Sequence, residues 1–389
     1  METGSVDHMR GPLRKKVSAE YQSIWAELPL IERDAFRDPS NNSFEPARTR
    51  NGKGYEAHFV MSKGCDWSCN FCTEAVLAGP REVRRSASSV LDEVEYVFRY
   101  HDALHAQFID DNVFPPIAAP GLKPAEVSAR INWTEHFLEG LTKLRASTDG
   151  KVEAFSWRGL VRLEDILMYS ARSPDFFKKL AESGCGLLAF GVEHGDAEVR
   201  KSLKLGSASV PTNSDICELI RNLHDVGIYT KAYFMLGGAH DSEELANKTI
   251  EFALNSGVDL AYFAIFKNFR TLRTQGRTVP DESLRFSQFA FNLEEMILTP
   301  AGDAWENNFG KSLRLTPKEY QSALEQLNIM GFDFSNLFKY SDYHDDDKFD
   351  NIYFSDRDLY FRLLRKAYLE FYARKEWVET YAGLIQRGY

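Results

Sequence analysis

The sequence has no apolar run approaching the ~18–20 residues needed to cross a bilayer, so no membrane-spanning segment is expected. It has no positive surplus either. Its 47 Lys and Arg against 57 Asp and Glu leave a formal net charge of −10, which argues against a nucleic-acid partner held by phosphate neutralisation. The first 16 residues, METGSVDHMRGPLRKK, contain no apolar core of a secretory signal, and a cytoplasmic location is expected. No internal repeat or low-complexity tract stands out. Cysteine is scarce, at five in 389 residues. An odd number with three members inside eight positions is not a disulfide framework, and it points to a metal site in a reducing compartment. What the chain does have is core-forming material. Hydrophobic residues make up 43% and aromatics 13%, which excludes wholesale disorder.

From about residue 55 the pattern alternates between apolar runs of strand length and stretches of helical spacing. Strands are predicted at 56–62, 105–110, 152–157, 186–193, 228–236 and 259–266. Helical stretches lie between them at 87–101, 126–147, 163–184, 196–202, 213–226 and 242–257. Six strand-then-helix steps without an obvious hairpin signal predict an α/β fold, a parallel sheet with right-handed crossovers. Six steps suit an open partial barrel rather than a closed eight-stranded one. Residues 1–54 read as a leader with a helical extension, 55–275 as the barrel, and 276–389 as a helical, aromatic-rich region expected to cover the barrel mouth.

The segment MSKGCDWSCNFCTE carries Cys65, Cys69 and Cys72 in a C-x3-C-x2-C spacing. Three thiolates on one tight loop can bind three irons of a cubane and leave the fourth open to a ligand, whereas four-cysteine clusters mostly carry electrons. Gly64 lets the chain turn after the first strand, and Phe71 is placed to shield a cluster from solvent. The competing reading is structural zinc, which needs a fourth ligand from a second short-spaced pair. His58 lies in the strand, and Cys185 and Cys217 are distant and form no such pair.

With its triplet directly after the first strand of a six-step βα pattern, the chain resembles the radical S-adenosylmethionine (SAM) enzymes. FIDDNVF (108–114), LAFGVEHGDAEVRKSLKLG (188–206), YFMLGGAHDSEELANKTIEFALNSGVD (233–259) and KAYLEFYARKEWV (366–378) resemble segments of the branch that holds cobalamin-dependent radical SAM methylases and methylthiotransferases. The resemblance implies a partial (β/α)6 barrel, a [4Fe-4S] cluster on Cys65, Cys69 and Cys72, and SAM bound at the cluster's open iron. It also implies a 5′-deoxyadenosyl radical that takes a hydrogen atom from a small-molecule or peptide substrate, and a flavodoxin or ferredoxin as electron donor.

It further implies site residues at the carboxyl ends of the strands. Asp110, Asp111 and Asn112 fall where the family contacts the SAM amino group; they also suit ordinary caps or turns. Glu193 falls where a carboxylate binds ribose hydroxyls, or it is a helix-start carboxylate. Arg158 and Arg162, at or just after the third strand, are candidates for the SAM carboxylate, or surface arginines. Gly237 and Gly238 permit close backbone approach near the adenine, or form a plain turn. Cys185 is a candidate hydrogen-atom donor to a product radical, or a small core residue; Cys217 reads as helix core.

The chain departs from the branch in three places. His194 stands where the motif usually has Ser. The loop after the sixth strand, FKNFRTLRTQGR (266–277), lacks the usual Pro-Gly-Thr and instead carries Lys267, Arg270 and Arg273, an anionic-substrate anchor or a solvated loop. The fifty-odd residues before the barrel are too few for a cobalamin-binding domain. The reading is therefore SAM-dependent radical chemistry, possible outcomes being rearrangement, dehydrogenation, epimerisation, C–C bond formation or cyclisation in specialised metabolism. Methylation with cobalamin or a second SAM is the enzymatic alternative. A structural zinc or cluster-binding protein is the non-enzymatic one.

Overall fold

In a computed structural model, the residues described are 55–67, 69, 71–72, 74, 81–100, 103–147, 155–204, 210–238, 240–266, 357–372, 374 and 380. Lys267, Arg270 and Arg273, the leader and most of the 276–389 region lie outside them.

The six expected strands are present, with a two-residue ribbon between the first two. They are β1 (Tyr55–Phe59), β2 (Ser62–Lys63), β3 (Val83–Arg84), β4 (Ala103–Phe108), β5 (Ser156–Val161), β6 (Cys185–Glu193), β7 (Tyr229–Leu236) and β8 (Leu260–Ile265). The main sheet runs β1-β4-β5-β6-β7-β8, every pair parallel, with β2 and β3 pairing antiparallel to one side. The two edge strands, β1 and β8, do not pair with each other, so the barrel is open.

Helices supply the crossovers: α1 (Ala87–Tyr100), α2 (Pro124–Arg145), α3 (Leu163–Arg172), α4 (Phe176–Glu182), α5 (Ala197–Leu203), α6 (Asn213–Asp225) and α7 (Glu243–Asn255). The single helix expected over 163–184 is divided between α3 and α4. Pro174 sits in the gap, where its missing N–H and ring would break a continuous helix. Sequence-local signals start the others. Thr212 and Asp215 form a reciprocal capping box on α6, and the Ser242 hydroxyl accepts the Leu245 N–H on α7.

The strands alternate sharply in burial. On β5, Trp157, Gly159 and Val161 are buried against the helices, while Ser156, Arg158 and Leu160 line the half-exposed inner face. An aromatic block of Phe108, Phe114, Phe137, Trp157, Tyr169 and Phe176 welds the outer face to α2, α3 and α4, with ring centroids 5.2–6.4 Å apart. Each such side chain contributes roughly 2–3 kcal/mol on burial.

The third strand lies four residues later than expected. Arg158 and Gly159 interrupt the apolar run and hid its second half. The shift moves Arg158 into the middle of β5, whereas Arg162 follows the strand's end. The last helix, α8 (Arg357–Tyr372), packs on α7 and closes the β8 edge. The Tyr368 hydroxyl accepts the Phe263 N–H at 3.1 Å and donates to the Phe263 carbonyl at 2.9 Å, standing in for a neighbouring strand.

Gly195 shows how tightly the strand ends are packed. A Cβ there would lie 2.7 Å from Thr249 Cα and 3.0 Å from the Lys248 carbonyl, both backbone atoms of α7. Gly195→Ala is expected to cost about 1–3 kcal/mol, read by urea unfolding. A loss under ~0.5 kcal/mol would show instead that α7 shifts freely on the sheet.

Candidate active site at the carboxyl ends of the strands

Leaving β1, the chain passes through the β2 ribbon strand and turns at Gly64 (φ 82°) into the cysteine loop. Cys69 is buried beside Trp67 and Ala119, with Cys65, Phe71 and Cys72 packed around them. Phe71 also touches the Val199, Leu203 and Phe266 cluster, tying the loop to the far strands. Burial pushes the Cys65 thiol up to about 12 and the Cys72 thiol to about 11, and Cys69 and Asp111 raise each further. Thiols held protonated in this way need a cationic centre to become ligands. The donor set therefore fits an iron–sulfur cluster with each thiolate on its own iron. Among the described residues no three His, Cys, Asp or Glu side chains converge on a single ion.

The residues just after β4 divide in function. Asp110 is buried and faces the backbone. Its carboxylate accepts the Met61 N–H at 3.0 and 3.1 Å, the Ser62 hydroxyl at 2.6 Å and the Ser62 N–H. It therefore clamps the root of the cysteine loop. Asn112 is buried too, donating to Asp165 at 3.0 Å, and Asp165 in turn accepts the Ile117 and Ala118 N–H groups at 2.7 and 2.8 Å. Asp111 alone of the three is exposed beside the cysteines. Burial of its carboxyl, with the nearby Glu74 and Asp110 carboxylates, pushes it up to about 6.

Arg162 reaches the loop from the end of β5. Its Nη1 donates to Cys69 Sγ at 2.8 Å, its guanidinium lies 3.8 Å over the Trp67 ring, and its Nε pairs with Glu164 at 3.0 Å. Lys204 closes the chain of charges, 3.5 Å from Glu164 and donating to the Gly191 carbonyl at 2.7 Å. Burial opposes ionisation of Glu164, but Lys204 and Arg162 outweigh it and hold the carboxyl below its ordinary value. Trp67, Glu164 and Lys204 were not singled out from the sequence. The Lys of the fourth-strand segment was the one available signal.

At the end of β6, Glu193 is half-buried with φ 69°, a left-handed backbone that non-glycine residues rarely adopt. Burial raises its carboxyl, against Lys204 and Arg162. His194 has a structural task. Its Nδ1 accepts the Asp196 N–H at 3.0 Å, which puts the proton on Nε2, and Nε2 donates to Asp241 at 3.2 Å. The same Asp241 accepts the Gly237 N–H at 2.7 Å, so the turns after β6 and β7 are held together.

Two candidate residues lie away from this rim. Cys185 begins β6, eight residues below Glu193 and roughly 26 Å along the strand. It sits in the hydrophobic core, and burial raises its thiol well above the ordinary range. Arg158 is inside the barrel, where its Nε and Nη2 grip Glu56 at 2.7 Å each. Burial alone would raise the Glu56 carboxyl, but hydrogen bonds from His58 and Arg158 hold it down to about 2. The folded value is below the ordinary 4.5, so this pair stabilises the fold above pH 4.5 and loses its contribution as pH falls toward 2. Arg158 is one-third exposed, so the screened contribution is about 1–2 kcal/mol. Glu56→Gln is expected to flatten that part of the acid-unfolding curve, and an unchanged curve would assign the acid sensitivity elsewhere.

A three-thiol loop entered from the first strand of an open six-stranded parallel barrel, facing acidic strand ends, is the arrangement that the resemblance to radical SAM enzymes leads one to expect. In sequence the chain is similar to two methyltransferases. A bacteriochlorophyllide d C-12(1)-methyltransferase of Chlorobaculum tepidum is 23% identical over 278 residues, 65% of this chain and 53% of that protein. An uncharacterized methyltransferase of Pyrococcus horikoshii is 22% identical over 206 residues, covering 53% of this chain and 38% of its own length. Among solved structures, the radical SAM methyltransferase TsrM of Kitasatospora setae, with cobalamin and a [4Fe-4S] cluster bound, aligns at a TM-score of 0.44 and 19% identity over 55% of this chain and 37% of that one. The chain thus spans about half the length of the first curated relative and less of the second. No family model matches it. Among the described residues no helix is long and apolar enough to cross a membrane.

Proposed function

We propose that the chain reductively cleaves SAM and abstracts a hydrogen atom from a small or medium organic substrate held inside the barrel. The observation that carries this reading is the placement of Cys65, Cys69 and Cys72 on one loop beside Asp111, at the mouth of the inner cavity. When bound, the cluster and SAM supply one-electron cleavage of the sulfonium to methionine and a 5′-deoxyadenosyl radical. The three cysteines hold three irons, and a flavodoxin or ferredoxin delivers the electron. Asp111, exposed and anionic above pH 6, faces the SAM amino group. Glu193, turned inward by its left-handed backbone, accepts from the ribose hydroxyls. Arg162 serves the cluster rather than the SAM carboxylate, because its guanidinium is already committed to Cys69 and Glu164. Its N–H···S bond favours the extra negative charge of the reduced cluster. Phe71 and Trp67 keep water from the sulfurs, and Gly237 keeps the β7 turn close to the site.

The relatives' names favour one second reading, methyl transfer from SAM to the substrate. Anaerobic reconstitution with iron and sulfide, then incubation with methyl-deuterated SAM and dithionite, separates the two. Cluster-dependent 5′-deoxyadenosine and methionine support the radical reading. S-adenosylhomocysteine as the sole SAM product supports methyl transfer without hydrogen abstraction. Neither product from a protein holding four irons per chain would sink both.

A further inference from the structure

Each sulfur of the cysteine loop already accepts from an N–H donor. The Trp67 backbone N–H donates to Cys65. Arg162 Nη1 donates to Cys69 at 2.8 Å, and the Glu74 N–H to Cys72 at 3.4 Å. A further donor stands among them. The Trp67 side chain is 4% exposed and packs with Cys69, and Cys65, Phe71 and Cys72 surround the pair. Its Nε1 is buried and has no hydrogen-bond partner.

The other buried side-chain atoms without a hydrogen bond, among the described residues, belong to Asp66, Arg85, Arg145 and Arg162. Those four are charged groups with partners. Asp66 lies 2.7 Å from Arg130, Arg85 pairs with Glu93, Arg145 donates to the Glu182 carbonyl at 2.7 Å, and Arg162 pairs with Glu164 at 3.0 Å. An indole has one polar atom, and it can only donate. The hydrogen-bonding capacity of the Trp67 side chain is therefore wholly unmet by the polypeptide. A buried donor in that state is rare in a folded chain and marks the place of an acceptor from outside it. The ring is also held in place, because the Arg162 guanidinium lies 3.8 Å over it while bound to Cys69. A cluster carried on the three thiolates brings inorganic sulfides, soft anionic acceptors, into this same group of side chains.

We propose that Trp67 Nε1–H donates to an inorganic sulfide of the cluster and raises its reduction potential, with Arg162 as the positioning residue for the indole ring. This rests on the cluster of the radical SAM reading and not on the cleavage of SAM. The reduced cluster carries one more negative charge than the oxidised one, so an N–H···S bond favours it. The sequence places Trp67 midway between Cys65 and Cys69, which puts its backbone and its side chain on the same group of sulfurs.

The test is an anaerobic redox titration, followed by EPR, of the cluster-reconstituted full chain and its Trp67→Phe variant. Phenylalanine keeps an aromatic ring under Arg162 and removes the N–H. At equal iron and sulfide content, Trp67→Phe is expected to shift the one-electron equilibrium about tenfold toward the oxidised cluster, a potential lower by about 59 mV. Trp133→Phe is the control, since that indole donates to the Arg85 carbonyl, and its potential is expected to match the parent's. A second measurement uses the parent alone and decides the matter if Trp67→Phe assembles no cluster. With heavy nitrogen in the indole of tryptophan, pulsed EPR of the reduced cluster is expected to show coupling to that nitrogen before SAM is added. An unshifted potential at full iron content, no coupling, or a coupling that appears only with SAM overturns the bond to sulfide. Formation of 5′-deoxyadenosine is assayed on the same parent preparation with SAM and dithionite. Cleavage without the coupling removes the bond alone; the coupling without cleavage removes the radical reading and leaves the bond standing.

Discussion

Cys69→Ala is expected to leave a folded protein that takes up little iron and forms 5′-deoxyadenosine at least about 100-fold more slowly than the parent. The separation between fold and chemistry follows from what Cys69 touches. Its side chain is small and packs on Trp67 and Ala119 in a small cluster apart from the main core. Losing one sulfur there costs about 1 kcal/mol of packing, so the apo protein's melting changes little. The cluster loses one of three protein ligands, and Arg162 loses the acceptor it meets at 2.8 Å. Iron and sulfide counts, with anaerobic product assay, check the result. Cys185→Ala is the matched control, since that thiol is buried at the opposite end of β6. Full iron uptake and cleavage by Cys69→Ala would dismiss the triplet as the cluster site. Loss of both by Cys185→Ala would mean that the strand's lower end matters more than its position allows.

Asp110→Ala is expected to be the most damaging substitution near the rim, at roughly 3–5 kcal/mol of stability. The carboxylate satisfies two backbone N–H groups and a hydroxyl, all on the segment that leads into the cysteine loop. Removing it leaves those donors buried without an acceptor. Burial raises the Asp110 carboxyl while Arg84 and the Ser62 bonds oppose the shift, so its worth lies in accepting hydrogen bonds rather than in its charge. Asp110→Asn keeps one acceptor oxygen and is expected to recover about half of the loss. Urea unfolding of the apo chain measures both, and iron uptake reports whether the loop still assembles. An Asp110→Ala protein of parental stability would mean that Met61 and Ser62 find other acceptors.

The same contrast shows what could be read from the residues beforehand. The triplet, the six βα steps and the ends of most helices were legible because each is set by neighbours in the chain: spacing of thiols, alternation of apolar positions, capping residues. Asp110, Asp111 and Asn112 stood together as candidates, yet only the folded chain distinguishes them. One clamps the loop, one faces the cysteines and one braces Asp165. Arg158 was misplaced because the inner face of the barrel is polar, so the alternation that marks β5 resembled the end of a strand. Glu164 and Lys204 gave no sequence signal as partners, being forty positions apart.

The sequence by itself determined the alternating βα plan and the thiol spacing on which the proposed cluster loop rests, since three thiols at that spacing are set by neighbours in the chain. Only the tertiary structure decided what surrounds them. The Arg162–Cys69 contact joins residues 93 positions apart, and the Glu56–Arg158 pair joins residues 102 apart. Such pairs arise from strand order and register, and neither is written in any local stretch of chain.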